Sequence, residues 1–343
     1  MSIVEVARRA GVSTATVSRA LNRPAIVAPA TREAVRAAAH ALAYAPNESA
    51  RTLRLQKSRS IGVLLPTLRN PVFAECLAGI AAEAADAGYS ILPLTTDYRR
   101  EAEREALQRL AARGVDALIL TVADAASSAT LAALRRLRLP YVLAYNRHPA
   151  HPCVSVDGES AVAQLVARLC GEGHERIVMV SGTLAASDRA QQRLRGYERA
   201  MAQAGLAPER LELPFVEPAH ELVVARLARA PRPSALVCSN DLLALRCLRA
   251  AALAGMKVPQ ELSVIGFDGI ALGRDTMPSL ASIAQPNEEI GRTALRCLLG
   301  HLEAGTRPGP AASLTLPCTL NAFESMGPAA RRQPQPPVPR SPA

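Results

Sequence analysis

Two short helical segments joined by a tight turn occupy residues 3–22 (IVEVARRAGVSTATVSRALN), and they constrain the fold more than any other stretch. Gly11 supplies the turn, because a left-handed backbone is cheap only for glycine. Ser13 can cap the second helix, which is expected to bury Val17 and Leu21. The first helix places four apolar side chains on one side: Val4, Val6, Ala7 and Ala10. This spacing predicts a helix-turn-helix unit.

The exposed face of the second helix carries small and polar side chains: Thr14, Ala15, Ser18 and Arg19. Such a face suits entry into the major groove of DNA, where arginine makes bidentate contacts with guanine. An ordinary helical hairpin in a globular core is the alternative, because the same spacing also occurs without DNA binding. The pattern alone leaves both interpretations open.

The positive charge of the chain is concentrated at its N-terminal end. The net charge is +10, and residues 1–60 contain ten Lys or Arg against three Glu. Residues 328–343 add three Arg and no acidic residue, which leaves 27 basic and 27 acidic residues in 61–327. An arginine-rich composition alone would spread the excess evenly. A neutral body behind a basic head is the electrostatic pattern of a nucleic-acid-binding protein.

A third helix follows the pair. Pro29 fits its first position, where the missing N–H costs nothing. Its apolar face is formed by Val35, Ala38, Ala39 and Leu42. Residues 47–55 (NESARTLRL) then form a segment too short to hold an isolated helix in water. We predict that this segment is a linker that orders only when another surface supports it.

From residue 60 onward, short apolar runs alternate with helical stretches. The runs include IGVLLP (61–66), ALILTV (117–122), RIVMVSG (176–182) and LSVIGF (262–267). Apolar runs without polar alternation are typical of parallel strands covered on both faces, and strand–helix–strand order gives doubly wound layers. Since these units are too many for one ordinary sheet, we predict two α/β halves.

The order of several segments resembles the LacI/GalR family of transcriptional regulators. These segments include AGVSTATVSRALN (10–22), YAPNESARTLR (44–54), RLRGYERAMAQAGL (193–206) and GMKVPQELSVIGFDGIALG (255–273). The resemblance extends to about Phe323. It implies a multi-domain chain with an all-α, λ-repressor-like helix-turn-helix head and an α/β, two-subdomain body like the periplasmic binding proteins.

The resemblance also implies domain boundaries. The DNA-binding head would span residues 1–46 and a hinge helix or linker residues 47–59. The effector-binding, dimerising body would span 60–325, and 326–343 would be a disordered Pro-rich tail. Within the body, subdomain one would comprise about 60–157 and 286–320, and subdomain two about 158–285.

On the DNA side, the resemblance implies that Thr14, Ala15 and Arg19 approach base edges, whereas Ser13 and Thr16 hold phosphates. In the hinge, Leu53 matches the leucine that wedges a base step in the minor groove, and Ala50 lets two hinge helices approach closely. The remaining expected DNA contacts are Ser18, Asn22, Asn47 and Arg51. The expected partner is a pseudo-palindromic double-stranded operator bound by a homodimer.

Ligands of open α/β sheets bind at the carboxyl ends of the strands, which two facing halves bring into one cleft. The candidate effector-binding residues are Asn70, Phe73, Tyr145, Asn146, Arg147, Arg193, Asn240, Asp241 and Asp268. Arg193 matches the ligand-binding arginine of the family's R-x-x-G-[FYW] segment. A helix cap is an equally good interpretation of Asp241. We expect a transcriptional repressor whose operator affinity is controlled by a small metabolite, with a sugar or sugar acid favoured.

Departures from the family pattern leave the effector's identity open. Gly269 stands where a second aspartate is frequent, and Asn146 where an aspartate is common. The chain also has no tryptophan to stack on a sugar ring.

Other function classes have little support. The sequence contains no phosphate loop, dinucleotide fingerprint, nucleophile elbow or H-E-x-x-H motif, so we expect no enzyme and no cofactor. His148 and His151 are interpreted as surface-loop histidines and not metal ligands, because carboxylate or cysteine partners at ligand spacing are missing. The seven cysteines are scattered, without a C-x-x-C pair, which favours reduced thiols. With neither an apolar membrane span nor a secretory signal, we expect a cytoplasmic protein without membrane contact.

Overall fold

The computed structural model describes residues 2–22, 24–44, 58–215 and 217–330, and it describes Asn22 by its backbone only. The chain divides into two units, Met1–Ser58 and Arg59–Ala343, which we call the head and the body. Predictions that concern residues 45–57 and 331–343 therefore lie outside the described residues.

Three helices form the head: α1 (Ile3–Ala10), α2 (Thr14–Asn22) and α3 (Pro29–Ala41). Ser2 and Glu5 form a capping box at the start of α1, each satisfying a free backbone N–H at this helix terminus. Gly11 ends α1 with a φ of 65°, the left-handed conformation that the turn requires. The predicted turn and the predicted first position of Pro29 are both observed.

The head has a small core to which each helix contributes one fully buried valine: Val6, Val17 and Val35. Two details of the predicted faces are wrong. Val4 is 61% exposed, because the apolar face of α1 is narrower than the sequence suggested. On α2, Ala20 is buried and Leu21 only half-buried, since a 3.6-residue period after Val17 brings Ala20 closest to the helix interface.

Strands and helices alternate along the described part of the body. The strands are β1 (Ser60–Leu65), β2 (Ser90–Thr95), β3 (Ala117–Leu120), β4 (Tyr141–Ala144), β5 (Cys153–Val156), β6 (Ile177–Gly182), β7 (Glu209–Leu213), β8 (Ala235–Cys238), β9 (Ser263–Asp268), β10 (Ala281–Ala284), β11 (Leu314–Leu316) and β12 (Thr319–Asn321). The helices are α4 (Pro71–Asp86), α5 (Arg100–Ala112), α6 (Ala129–Leu137), α7 (Gly158–Gly171), α8 (Asp188–Gln203), α9 (His220–Ala228), α10 (Asp241–Leu253) and α11 (Asn287–Glu303).

These strands form two six-stranded sheets. The first has the order β11-β5-β4-β3-β1-β2, and the second the order β12-β10-β9-β8-β6-β7. All neighbours are parallel except β10 and β12, which pair antiparallel. Every residue of β3, β5, β6, β8 and β9 is buried, as apolar runs covered on both faces require. The predicted pair of α/β halves is confirmed.

The chain crosses between the halves three times. It enters the second half after β5 and returns after β10, so that α11 packs on α4 in the first half. After β11 has joined the first sheet, β12 joins the second, which corrects the expectation that residues up to 320 belong to subdomain one. The pattern had also missed the edge strand β7, since its alternating Glu and Leu residues do not form an apolar run.

The beginning of the predicted tail is bound to the body. The carbonyl oxygen of Gly327 accepts hydrogen bonds from His174 Nε2 at 2.9 Å and from Ser263 Oγ at 3.0 Å. The backbone N–H of Ala329 donates to the carbonyl oxygen of Glu172 at 3.1 Å. The expectation of disorder is therefore wrong for residues 326–330, because these contacts fix the backbone.

Among the described residues, no helix is long and apolar enough to cross a membrane. All seven cysteines lie within the described ranges and are free thiols. Cys76, Cys153, Cys238 and Cys247 are buried, and the other three are half-buried.

Candidate functional site

The expected DNA-binding face lies on α2 of the head. Ser13 Oγ accepts a hydrogen bond from the N–H of Thr16 at 3.1 Å, so Ser13 caps α2. Thr14, Ala15 and Arg19 are exposed on this helix, whereas Thr16 and Ser18 are half-buried. The side chain of Asn22 and the hinge residues lie outside the described residues: Asn47, Ala50, Arg51 and Leu53. The described head thus presents the three side chains that were expected to approach base edges.

In the body, a cavity lies between the carboxyl ends of the two sheets. Six of the nine expected effector-binding residues line it: Asn70, Phe73, Tyr145, Arg193, Asn240 and Asp268. These residues follow strands or lie on the helices that begin there, which explains why strand-end reasoning found them.

Arg193 and Asp268 form the charged centre of this cavity. Arg193 Nη1 lies 3.6 Å from Asp268 Oδ1 and donates a hydrogen bond to the carbonyl oxygen of Ser239. The guanidinium carbon lies 3.6 Å from the centre of the Phe267 ring, a cation–π contact. The ion pair is almost fully shielded from solvent, with side-chain exposures of 10% and 3%.

Asp268 receives further hydrogen bonds from both halves of the body. Gln285 Nε2 donates to its Oδ1 at 2.8 Å, and Asn70 Nδ2 donates to its Oδ2 at 3.4 Å. Burial raises the pKa of Asp268 above its ordinary value, and the nearby Arg193 charge opposes that rise. The carboxylate therefore links the two halves at the wall of the cavity.

A close helix contact positions Arg193. Gly196 lies one turn later on α8, where a β-carbon would overlap the carbonyl oxygen of Glu159 at the start of α7. Tyr197 is fully buried beside it and donates a hydrogen bond to the Ile177 carbonyl at 2.8 Å. The R-x-x-G-Y segment thus fixes α8 against α7, and Arg193 projects from a rigid surface.

Three expected effector residues have other roles in the structure. Asn146 is fully buried and binds both Val122 and Asp188. Its amide satisfies the backbone beyond β3 and joins it to the start of α8, so its polar atoms are used within the protein. Asn146 is not among the residues that line the cavity, and its contact with the effector stays a prediction.

Arg147 and Asp241 likewise do not line the cavity and have partners within the protein. Arg147 is exposed and forms an ion pair with Asp157 at 2.7 Å. Asp241 is fully buried, and it accepts hydrogen bonds from the Ile270 N–H at 2.8 Å and from Ser282 Oγ at 2.6 Å. Burial and the Asp268 charge raise the pKa of Asp241. The helix cap is Asn240, whose Oδ1 accepts from the N–H of Leu243, so the cap interpretation was one residue out of place.

Several lining residues were missed by sequence reasoning: Tyr98, Ser187, Arg189, Phe215, Ser239 and Gln285. Arg189 was detectable, because it precedes Arg193 by four residues and therefore shares its helix face. Ser239 and Gln285 directly follow strands β8 and β10, so strand-end reasoning could also have included them. Tyr98 and Phe215 lie in loops without a pattern. Their rings stack across the cleft with centroids 4.5 Å apart and an interplanar angle of 9°.

A second cavity adjoins the first and shares four of its residues. It is lined by Thr67, Arg69, Asn70, Tyr98, Phe215, Asn240, Leu242 and Arg246. We call the first the deep cavity and the second the outer cavity.

The histidine interpretation also needs correction. His151 is buried, and its Nδ1 lies 2.7 Å from the Tyr141 hydroxyl, so it is not a surface-loop residue. Burial and the neighbouring Arg135 charge lower its pKa to about 4. Among the described residues, no group of three His, Cys, Asp or Glu side chains is arranged to hold a metal ion.

Two family models match the chain. Residues 2–47 match the model described as bacterial regulatory proteins, lacI family. Residues 58–315 match the model described as periplasmic binding proteins and sugar binding domain of LacI family. The two matches correspond to the head and to most of the body.

Individual relatives agree with this match. The repressor PurR of Photobacterium profundum is 33% identical over 305 residues, covering 87% of this chain and 91% of PurR. The repressor CytR of Escherichia coli is 34% identical over 305 residues, covering 87% and 89% of the respective chains.

A solved structure of the Lac repressor dimer, bound to its operator and the anti-inducer ONPF, superposes with a TM-score of 0.84 at 27% identity. The match covers 95% of this chain and 98% of that one. These relatives are transcriptional repressors and not enzymes. The chain belongs to the LacI family of bacterial transcriptional repressors.

Proposed function

We propose that the protein is a homodimeric repressor whose operator affinity is controlled by a small metabolite bound in the deep cavity. The observation that carries the proposal is the cavity itself, which lies between two halves of the body and is lined by the buried Arg193–Asp268 pair. The favoured effector is a sugar or sugar acid, because charged and amide groups surround a partly aromatic wall formed by Phe73 and Tyr145. A regulator of this kind acts in the cytoplasm, where its operator is.

On the DNA side, Arg19 would contact a base edge, with Thr14 and Ala15 beside it. Ser13 and Thr16 would bind phosphates and set the register of the helix. Ser18 and Asn22 complete the expected contacts of α2. The exposure of Thr14, Ala15 and Arg19 supports this assignment.

Arg19 is the one long polar side chain of the expected recognition face. A single head with so few base contacts would bind DNA weakly. We propose that two copies bind a pseudo-palindromic operator and that their hinges order in the minor groove, with Leu53 as the wedge and Ala50 at the contact between hinges. Asn47 and Arg51 would bind the nearby backbone. The Lac repressor dimer on its operator is the relative that supports this arrangement.

Effector control follows from linkage. A ligand in the deep cavity contacts both halves of the body, so it favours one relative position of the halves over another. It can change the operator affinity only by its own difference in affinity for those positions. Arg193 and Asp268 are the groups expected to bind the effector.

The test begins with selection of an operator from random DNA duplexes by the full-length protein. Affinity for the selected duplex is then measured by fluorescence anisotropy at several salt concentrations, and it should fall steeply as salt rises. Arg19→Ala should weaken this binding, whereas Arg193→Ala should retain it and lose the effector response. An absence of selected sequences, or affinity that does not depend on salt, would refute the DNA-binding part of the proposal.

The hinge is tested separately. Leu53→Ala should weaken operator binding and leave effector affinity nearly unchanged. Equal losses of operator affinity and effector affinity would contradict the wedge assignment. A residue confined to the hinge does not touch the cavity, so it can change effector affinity only through linkage.

A further inference from the structure

The residues around the two cavities carry an excess of positive charge. Together the deep and outer cavities are lined by four arginines and one carboxylate: Arg69, Arg189, Arg193, Arg246 and Asp268. We propose that the effector is an anionic polyol, a sugar carrying a carboxylate or a phosphate, and that Arg189 binds its anionic group. This inference rests on the proposed function and narrows its class of ligand.

Arg189 has a buried donor that no described residue of the protein pairs with. The residue is 8% exposed, and its Nη1 donates to the Val122 carbonyl at 2.7 Å and lies 3.2 Å from Asp188 Oδ1. For its Nη2, no acceptor lies within hydrogen-bond distance among the described residues. A buried charged donor without an acceptor is unfavourable, and buried polar groups are nearly always paired. Because Arg189 lines the deep cavity, a ligand can supply the acceptor.

Gln285 lines the same cavity and offers the complementary group, a hydrogen-bond acceptor. Its Nε2 donates to Asp268, whereas its buried Oε1 has no donor among the residues that the structure describes. An unpaired donor and an unpaired acceptor together fit a ligand that bears both an anionic oxygen and hydroxyl groups. A purely anionic ligand without hydroxyls would satisfy Arg189 and leave Gln285 unpaired.

The other charged groups of the deep cavity are already engaged. Arg193 binds Asp268 and the Ser239 carbonyl and stacks on Phe267, so its charge is largely neutralised. Arg189 is also ion-paired, with Asp188 Oδ1 3.2 Å from its Nη1, but its Nη2 has no acceptor among the described residues. Arg189 is therefore the residue best placed to receive an anion.

Two helix N-termini add to the positive potential. Asn70 caps α4 and Asn240 caps α10, helices of 16 and 13 residues, and both caps line both cavities. The partial positive charge at a helix N-terminus favours anions within its first turn. These helices belong to different halves of the body, so an anion between them would attract both.

The experiment measures binding to the full-length protein by isothermal titration calorimetry. The probes are matched sets, each an aldose with its aldonate and its 6-phosphate. At least one aldonate or phosphate should bind at least tenfold more tightly than its neutral aldose, and the two anionic arms distinguish carboxylate from phosphate. Binding of this anion should weaken as salt rises, which tests the proposal in the unmutated protein.

Arg189→Gln should reduce the preference for the anion by about tenfold to a hundredfold, the range expected for a hydrogen bond to a charged group. Arg189→Lys should retain part of it. Arg195→Gln is the matched control, because Arg195 lies on the same helix but is 55% exposed and pairs with Glu159. Melting curves of all three variants show whether they fold.

Neutral aldoses that bind as tightly as their anions, or an Arg189→Gln protein with unchanged preference, would overturn the inference. Binding by none of the anionic probes would overturn it as well. A protein that binds the anion but selects no operator would retain this inference and lose the proposed function. Operator binding that responds only to neutral compounds would do the reverse.

Discussion

Asn146 should be one of the most costly single truncations in the body. Its Nδ2 donates to Asp188 Oδ2 at 2.8 Å and to the Val122 carbonyl at 2.9 Å, and its Oδ1 accepts from the Val122 N–H at 2.9 Å. The side chain is fully buried. Asn146→Ala therefore removes the hydrogen bonds that join the backbone after β3 to the start of α8.

The magnitude follows from the groups left behind. Loss of the hydrogen bond to the Asp188 carboxyl group costs about 1.5–3 kcal/mol, and leaving the Val122 N–H buried without a partner costs about 1–3 kcal/mol. Together we expect the free energy of unfolding of the body to fall by about 2.5–6 kcal/mol. Asn146→Asp should be damaging too, because it places a second carboxylate against Asp188.

The assay is urea unfolding of the full-length protein followed by circular dichroism, with the variants compared at a common m-value. Arg147→Ala is the neighbouring control. Its exposed ion pair with Asp157 should contribute at most about 1 kcal/mol, because solvent screens it. If Asn146→Ala costs no more than Arg147→Ala, the assignment of Asn146 to the joint is refuted.

Three further substitutions test the packing, the histidine and the head. Gly196→Ala should lower the free energy of unfolding by about 1–3 kcal/mol, because the added methyl group would overlap the Glu159 carbonyl. Gly300→Ala is the control: it lies in open space on α11 and should raise the free energy of unfolding by about 0.5–1 kcal/mol. Equal effects of the two substitutions in urea unfolding would contradict the close contact at Gly196. The pKa of His151 is about 4 in the folded protein and about 6.5 in the unfolded chain. Between these pH values the unfolded chain binds more protons than the folded protein, so the free energy of unfolding should fall as the pH is lowered through this window. In His151→Gln the fall in melting temperature should be smaller, and an identical pH profile would contradict this role. Ser13→Ala should destabilise the head by about 1 kcal/mol through loss of the α2 cap, and an unchanged helical melting signal would contradict it.

The sequence by itself determined the architecture of this protein. Gly11, Ser13 and Pro29 predicted the turn, the cap and the third helix of the head, because each residue type has a local conformational reason to be there. The apolar runs predicted two parallel sheets, because a strand covered on both faces needs no polar alternation. Strand ends in turn predicted Asn70, Asn240 and Asp268 as lining residues, since the carboxyl ends of parallel strands meet at one edge.

Only the tertiary structure decided which of these polar residues face the cavity and which are used within the protein. Asn146 and Asp241 also follow strands, yet each is fully buried and satisfies backbone groups of a neighbouring segment. Tyr98 and Phe215 are 117 positions apart in the chain and stack only because the two halves face each other. Whether Arg189 Nη2 has an acceptor depends on every segment packed around it, and none of the described residues supplies one. Local sequence specifies the elements and their ends, whereas hydrogen-bond partners and ring contacts depend on distances between segments that only the folded chain sets.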